Sequence, residues 1–119
     1  MRKNHSILLR FMASAALAAV LLTSCAGGAA TYEKQMELGR KYLTEMNYAE
    51  AIAAFTEAIK LNPDDIEAYM ARAEAYAALE KYDEATADYT AVIEKTDDQP
   101  YLQATAYIGR AGVSESTAA

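Results

Sequence analysis

The chain has 119 residues, 53% of them apolar, with 17 acidic against 11 basic side chains and a formal net charge of −6. That length allows one modest core, and an acidic surplus leaves little to neutralise a phosphate backbone, so nucleic-acid binding is excluded as a main role. A single cysteine excludes an intramolecular disulfide.

The first 24 residues read as an export signal: Arg2, Lys3 and Arg10 precede an apolar run from Phe11 to Leu22. Its twelve residues fall short of the roughly 20 that span a bilayer. The run ends in Leu22-Thr23-Ser24-Cys25, which resembles the lipobox of bacterial lipoproteins. The resemblance implies that Cys25 becomes the first residue of the mature chain, carrying a thioether-linked diacylglycerol and often an amide-linked acyl chain. At about 0.8 kcal/mol per buried methylene, two or three chains give a durable membrane anchor. Ala26 after that cysteine goes with outer-membrane sorting in a Gram-negative envelope; a Gram-positive source implies the outer face of its single membrane. The competing readings are an ordinary cleaved signal or an uncleaved anchor with a free thiol. Residues 25–31 are then a lipidated cysteine and a short tether.

Processing at Cys25 removes three cations, leaving 8 basic against 17 acidic residues. It also removes His5, the only histidine. The mature chain therefore lacks the commonest general base, the best zinc ligands and a free thiol. Glu50, Glu57, Glu80, Glu84 and Glu94 sit at helical surface spacings, Asp64-Asp65 and Asp97-Asp98 look like helix starts, and no phosphate loop or serine nucleophile motif is present. No catalytic residue, metal site or cofactor is expected apart from the covalent lipid.

A 34-residue period organises the rest, superposing Met36 on Met70, Tyr42 on Tyr76, Tyr48 on Tyr82, Glu50 on Glu84, Ala51 on Ala85 and Ile59 on Ile93. Units of this kind bury their apolar faces only by stacking. Ile52, Phe55 and Ile59 follow the helical period. Gly39, Ala51 and Ala58 lack the bulk that keeps helices apart, while Leu38, Tyr42 and Phe55 fill the space around the contact. Helices are predicted over 32–45, 48–61, 65–79 and 82–95. Pro63 ends a helix, and Asp64, with Glu67 three residues on, predicts a capping-box start for the next.

Leu38-Gly39, Tyr42, Ala51, Phe55, Ala58 and Pro63 together resemble the tetratricopeptide repeat, and Tyr69, Ala73, Tyr76, Ala85 and Tyr89 continue the scheme. The resemblance implies an all-α fold of helical hairpins, a right-handed α-solenoid fragment with repeats over 32–65 and 66–99. Val92 stands where the pattern has a small residue and Asp97 where it has the closing proline, which predicts looser packing in the second pair. From 100 to 119 a partial third repeat begins: Ala106 to Ala111 echo Ala68 to Ala73, but 38 residues on rather than 34. Four extra residues are about one helical turn, so a helix extended back to Pro100, with Asp98 as its start signal, keeps the same face inward. Gly109 and Gly112 cost that helix roughly 1 kcal/mol each relative to alanine. It is either a frayed cap, the start of a longer array, or a surface that a partner or second copy completes.

In this family the first helix of each repeat lines a concave face. The corresponding positions are Glu33, Met36, Glu37, Arg40 and Leu43, then Glu67, Met70, Ala71, Glu74 and Ala77, with Ile108 and Gly109 continuing the surface. An apolar stripe flanked by acid would take an amphipathic helix or extended peptide bearing basic residues; alternatively Met36 and Met70 pack between neighbouring helices. Family members that clamp a peptide's terminal carboxylate use lysine and asparagine there, and Arg40 is the sole similar candidate. The expected role is a lipid-anchored protein-interaction module of the bacterial envelope. Self-association as a structural lipoprotein is the alternative.

Overall fold

The computed structural model describes residues 31–118, so the signal segment, Cys25 and most of the tether lie outside the described residues. Five helices follow one another: α1 over residues 31–44, α2 Tyr48–Leu61, α3 Ile66–Ala78, α4 Tyr82–Lys95 and α5 Pro100–Ala118. The spans of α2 and α4 match those predicted, and α5 begins at Pro100, where a missing N–H costs nothing. No strand occurs among the described residues, and none of these helices is long and apolar enough to cross a membrane.

Each hairpin turns in the same way. Met46 and Glu80, one period apart, adopt left-handed backbone at φ 61° and 59°. Behind them Asn47 N–H donates to the Tyr42 carbonyl at 2.8 Å, and Lys81 N–H to the Tyr76 carbonyl at 2.9 Å. These six-to-one bonds satisfy carbonyls that a helix end leaves open and turn the chain back on itself.

The joint between hairpins departs from expectation. The N-cap of α3 is Asp65 rather than Asp64: its Oδ1 accepts from Glu67 N–H at 3.1 Å. The reason lies in α1, where the Tyr32 hydroxyl donates to Asp65 Oδ2 at 2.6 Å and fixes that carboxylate from the other side. Asp64 instead points to solvent and receives Lys95 Nζ at 3.2 Å. At the α4–α5 joint, which lacks the closing proline, Thr96 is fully buried and its hydroxyl donates to the Val92 carbonyl at 2.7 Å. Val92 is itself fully buried, so the second pair closes around its larger side chain rather than gaping.

Two apolar clusters form the interior. Met36, Ala51, Phe55, Ala58, Ala68 and Ala75 make the first; Ala73, Ala85, Tyr89, Val92, Ala106 and Val113 make the second. Helix α3 serves both, turning Ala68 and Ala75 to one and Ala73 to the other. The one-turn extension of α5 keeps register as expected, because Ala106 is as fully buried as its counterpart Ala68.

Small residues set the helix spacing. A Cβ on Gly39 would lie 2.5 Å from the Phe55 ring, and one on Gly109 2.5 Å from the Tyr89 ring. Both glycines are sites of close approach, whereas a Cβ on Gly112 would meet nothing.

Candidate interaction groove

Ile66, Glu67, Met70, Ala71 and Glu74 of α3 and Leu102 of α5 line an open groove of about 570 Å³. It is lined mainly by apolar side chains, with Glu67 and Glu74 about two helical turns apart. Four of its residues are among those expected from the family pattern. Ile66 and Leu102 are additions; Leu102 falls in the extra turn of α5, which has no equivalent in the earlier repeat.

The first repeat contributes less than expected. Met36 is 1% exposed and belongs to the first cluster, because Ala68, Ala71 and Ala75 of α3 present a wall without bulk into which it packs. Met70, by contrast, is half-buried at the groove. The two methionines therefore do not form a continuous accessible stripe. Glu33 and Glu37 are exposed on α1, Leu43 packs partly against the first cluster and Ala77 against the second. Ile108 is 73% exposed and lies outside the groove lining.

Arg40 is engaged. Its Nε donates to Glu67 Oε1 at 3.0 Å and its Nη2 reaches the same oxygen, an exposed pair bridging α1 and α3. The hydrogen bond to Glu67 is the main cause holding the guanidinium's pKa above its ordinary value. An incoming carboxylate would have to compete with Glu67 for this cation, which disfavours recognition of a peptide terminus here.

The residues assigned to packing differ in burial. Ala51, Phe55, Ala58, Ala73, Ala85 and Tyr89 are buried, and Gly39 abuts Phe55. Leu38, Tyr42, Tyr69 and Tyr76 are half-buried, and Pro63 is exposed in the turn before α3. The five surface glutamates are all exposed, and no metal-binding cluster of acidic, histidine or cysteine side chains occurs among the described residues.

A polar contact within the second hairpin was not anticipated. Arg72 of α3 forks onto Asp88 of α4, with Nη1 also donating to Thr56 Oγ1 at 3.1 Å. The Tyr69 and Tyr76 rings flank the guanidinium at 5.7 and 5.8 Å. The bond to Asp88 raises the Arg72 pKa against the opposing effect of burial. Leu38 and Ala54 occupy the equivalent places one repeat earlier, so the period itself conceals the pair; the recurrence of Arg72 as Arg110 is the signal that could have exposed it.

A family model described as tetratricopeptide repeat matches residues 36–100. Hsp70-Hsp90 organizing protein 3 of Arabidopsis thaliana is 39% identical over 62 residues, covering 52% of this chain and 11% of that protein. DnaJ homolog subfamily C member 3 of Bos taurus is 40% identical over 65 residues, covering 55% of this chain and 13% of that protein. The match thus spans about a tenth of each relative's length. Among solved structures, the TPR2B domain of yeast Sti1 in complex with pHsp70 superposes with a TM-score of 0.66 at 33% identity, covering 73% of this chain and 66% of that one. The TPR2AB domain of yeast Sti1 in complex with pHSP90 gives a TM-score of 0.65 at 32% identity, covering 83% and 39%. Period, hairpin geometry and these likenesses agree: the chain belongs to the tetratricopeptide repeat family.

Proposed function

We propose that this chain is a non-enzymatic protein-interaction module of the bacterial cell envelope, held at a membrane surface by lipid on Cys25, whose α3–α5 groove receives an apolar peptide segment with basic flanks. The observation that carries the binding role is the apolar lining of Ile66, Met70, Ala71 and Leu102, shared with Glu67 and Glu74. Methionine adapts its shape to irregular apolar guests, and carboxylates in the lining favour lysine or arginine beside them. The two Sti1 domains, whose complexes contain pHsp70 and pHSP90, support a partner-binding use of this architecture. The anchor rests on Leu22-Thr23-Ser24-Cys25 after an apolar run. On this reading the module sits at the outer membrane of a Gram-negative cell or on the outer face of a Gram-positive one.

Selection of displayed peptides on the purified chain tests the groove. Enriched sequences should combine large apolar residues with lysine or arginine, and Met70→Glu or Glu74→Lys should weaken them about tenfold or more. Selected peptides indifferent to both changes would remove the groove from the account.

A further inference from the structure

The two carboxylates in the α3–α5 groove are not equivalent. Glu67 is already engaged: Arg40 of α1 reaches its Oε1 through Nε, at 3.0 Å, and through Nη2. Glu74, two turns further along α3, is exposed and forms no ion pair among the described residues. No cation stands among the side chains that line the groove, whose two walls, α3 and α5, both belong to this chain.

The backbone adds to the asymmetry. The C-terminal end of a helix carries partial negative charge. Helices α2 and α4 place Lys60 and Lys95 in the last turn, but the last turn of α3 has no basic residue. The Glu67 end of the groove thus holds a balanced pair, whereas the Glu74 end is left negative.

We infer that Glu74 is the specificity-determining residue of this groove: it selects a protein segment whose apolar stretch has one lysine or arginine at one end, and so fixes the direction in which that segment lies. On the reading of the groove as a peptide site given above, one flank of the guest rather than both carries the cation. A cation approaching Glu67 must displace Arg40 or share its carboxylate, and an exposed pair returns little for that exchange. A cation approaching Glu74 meets a carboxylate without a competitor. Half-buried Met70 and Ala71 lie beside it in the lining, where the methylene stem of a lysine or arginine packs while its charged head stays in water.

A displayed library of random peptides is selected on the full chain in detergent. The most enriched sequence is resynthesised with blocked termini and titrated by fluorescence anisotropy. The wild-type chain should enrich a lysine or arginine at one end of an apolar stretch. Glu74→Gln should abolish that enrichment and weaken the resynthesised peptide about fivefold or more. Norleucine in place of the peptide's cation should do the same, and the two changes together should cost no more than either alone. Arg40→Gln, which leaves Glu67 without its partner, should bring in a second cation. Glu67 and Glu74 are about 10 Å apart along the helix, so the second cation should fall about three residues from the first in an extended guest and about seven in a helical one. Cations at both ends with the wild-type chain, a preference that survives Glu74→Gln, or Met70-dependent peptides without a cation would each overturn the inference and leave the groove standing. Peptides indifferent to Met70→Glu would remove the groove, and the assignment of Glu74 with it.

Discussion

Arg72 and Asp88, sixteen residues apart, meet as a planar fork with Nε 2.8 Å from Oδ2 and Nη2 2.7 Å from Oδ1. Only 16% and 7% of the two side chains are exposed. Removing one partner leaves the other charge inside without compensation. Asp88→Ala should therefore cost about 3 kcal/mol in urea denaturation. Arg40→Ala, which breaks an exposed pair, should cost no more than about 1 kcal/mol. Equal losses would mean that burial does not distinguish the two pairs.

Glycine substitutions should separate contact from helix propensity. At Gly39 an added methyl runs into the Phe55 ring, and overpacking of this kind costs about 1–3 kcal/mol. Nothing lies near a methyl at Gly112, so alanine there should stabilise α5 by about 0.5–1 kcal/mol. Thermal melts of the two variants should move in opposite directions.

Alkaline stability should report on Tyr32. An unfolded tyrosine ionises near pH 10.0, whereas the folded Tyr32 is pushed up to about 12, first by its hydrogen bond to Asp65 and then by burial. The folded chain thus holds this proton more tightly; the stabilisation is complete below about pH 10 and is lost as pH climbs through about 12. Tyr89 moves in the same direction, chiefly through burial and secondarily through Glu74. The melting temperature should fall across that interval, and less steeply in Tyr32→Phe. An identical slope in the variant would dissociate Tyr32 from the effect.

Replacing Cys25 by serine tests the proposed anchor in cells. The protein should leave the membrane fraction or persist as unprocessed precursor, and fatty-acid labelling should disappear. Normal labelling of the variant would contradict lipid attachment at this position.

The spacing of small and large residues made most of the fold legible, because Gly39, Ala51, Phe55 and Ala58 have few alternatives when two helices must touch. Pro63 and Pro100 marked chain reversals through an equally local effect. Choices between adjacent or equivalent residues were not local. Asp64 and Asp65 have the same chemistry, and only Tyr32 on a distant turn decides which one caps α3. Met36 and Met70 share a repeat position, yet three alanines on α3 bury the first while the second borders a groove. The 34-residue comparison also passed over Arg72 and Asp88, since neither charge recurs one unit earlier. The proposed membrane attachment rests on residues outside those described and on the sequence pattern ending at Cys25 alone.

Helix α3 is a party wall. Its alanines close both interior compartments, so loosening this one rod should empty them together, whereas unravelling α5 opens only the farther one. Cooperativity between the hairpins is thus concentrated in thirteen residues whose fully buried side chains, Ala68, Ala73 and Ala75, are too small to hold anything by themselves.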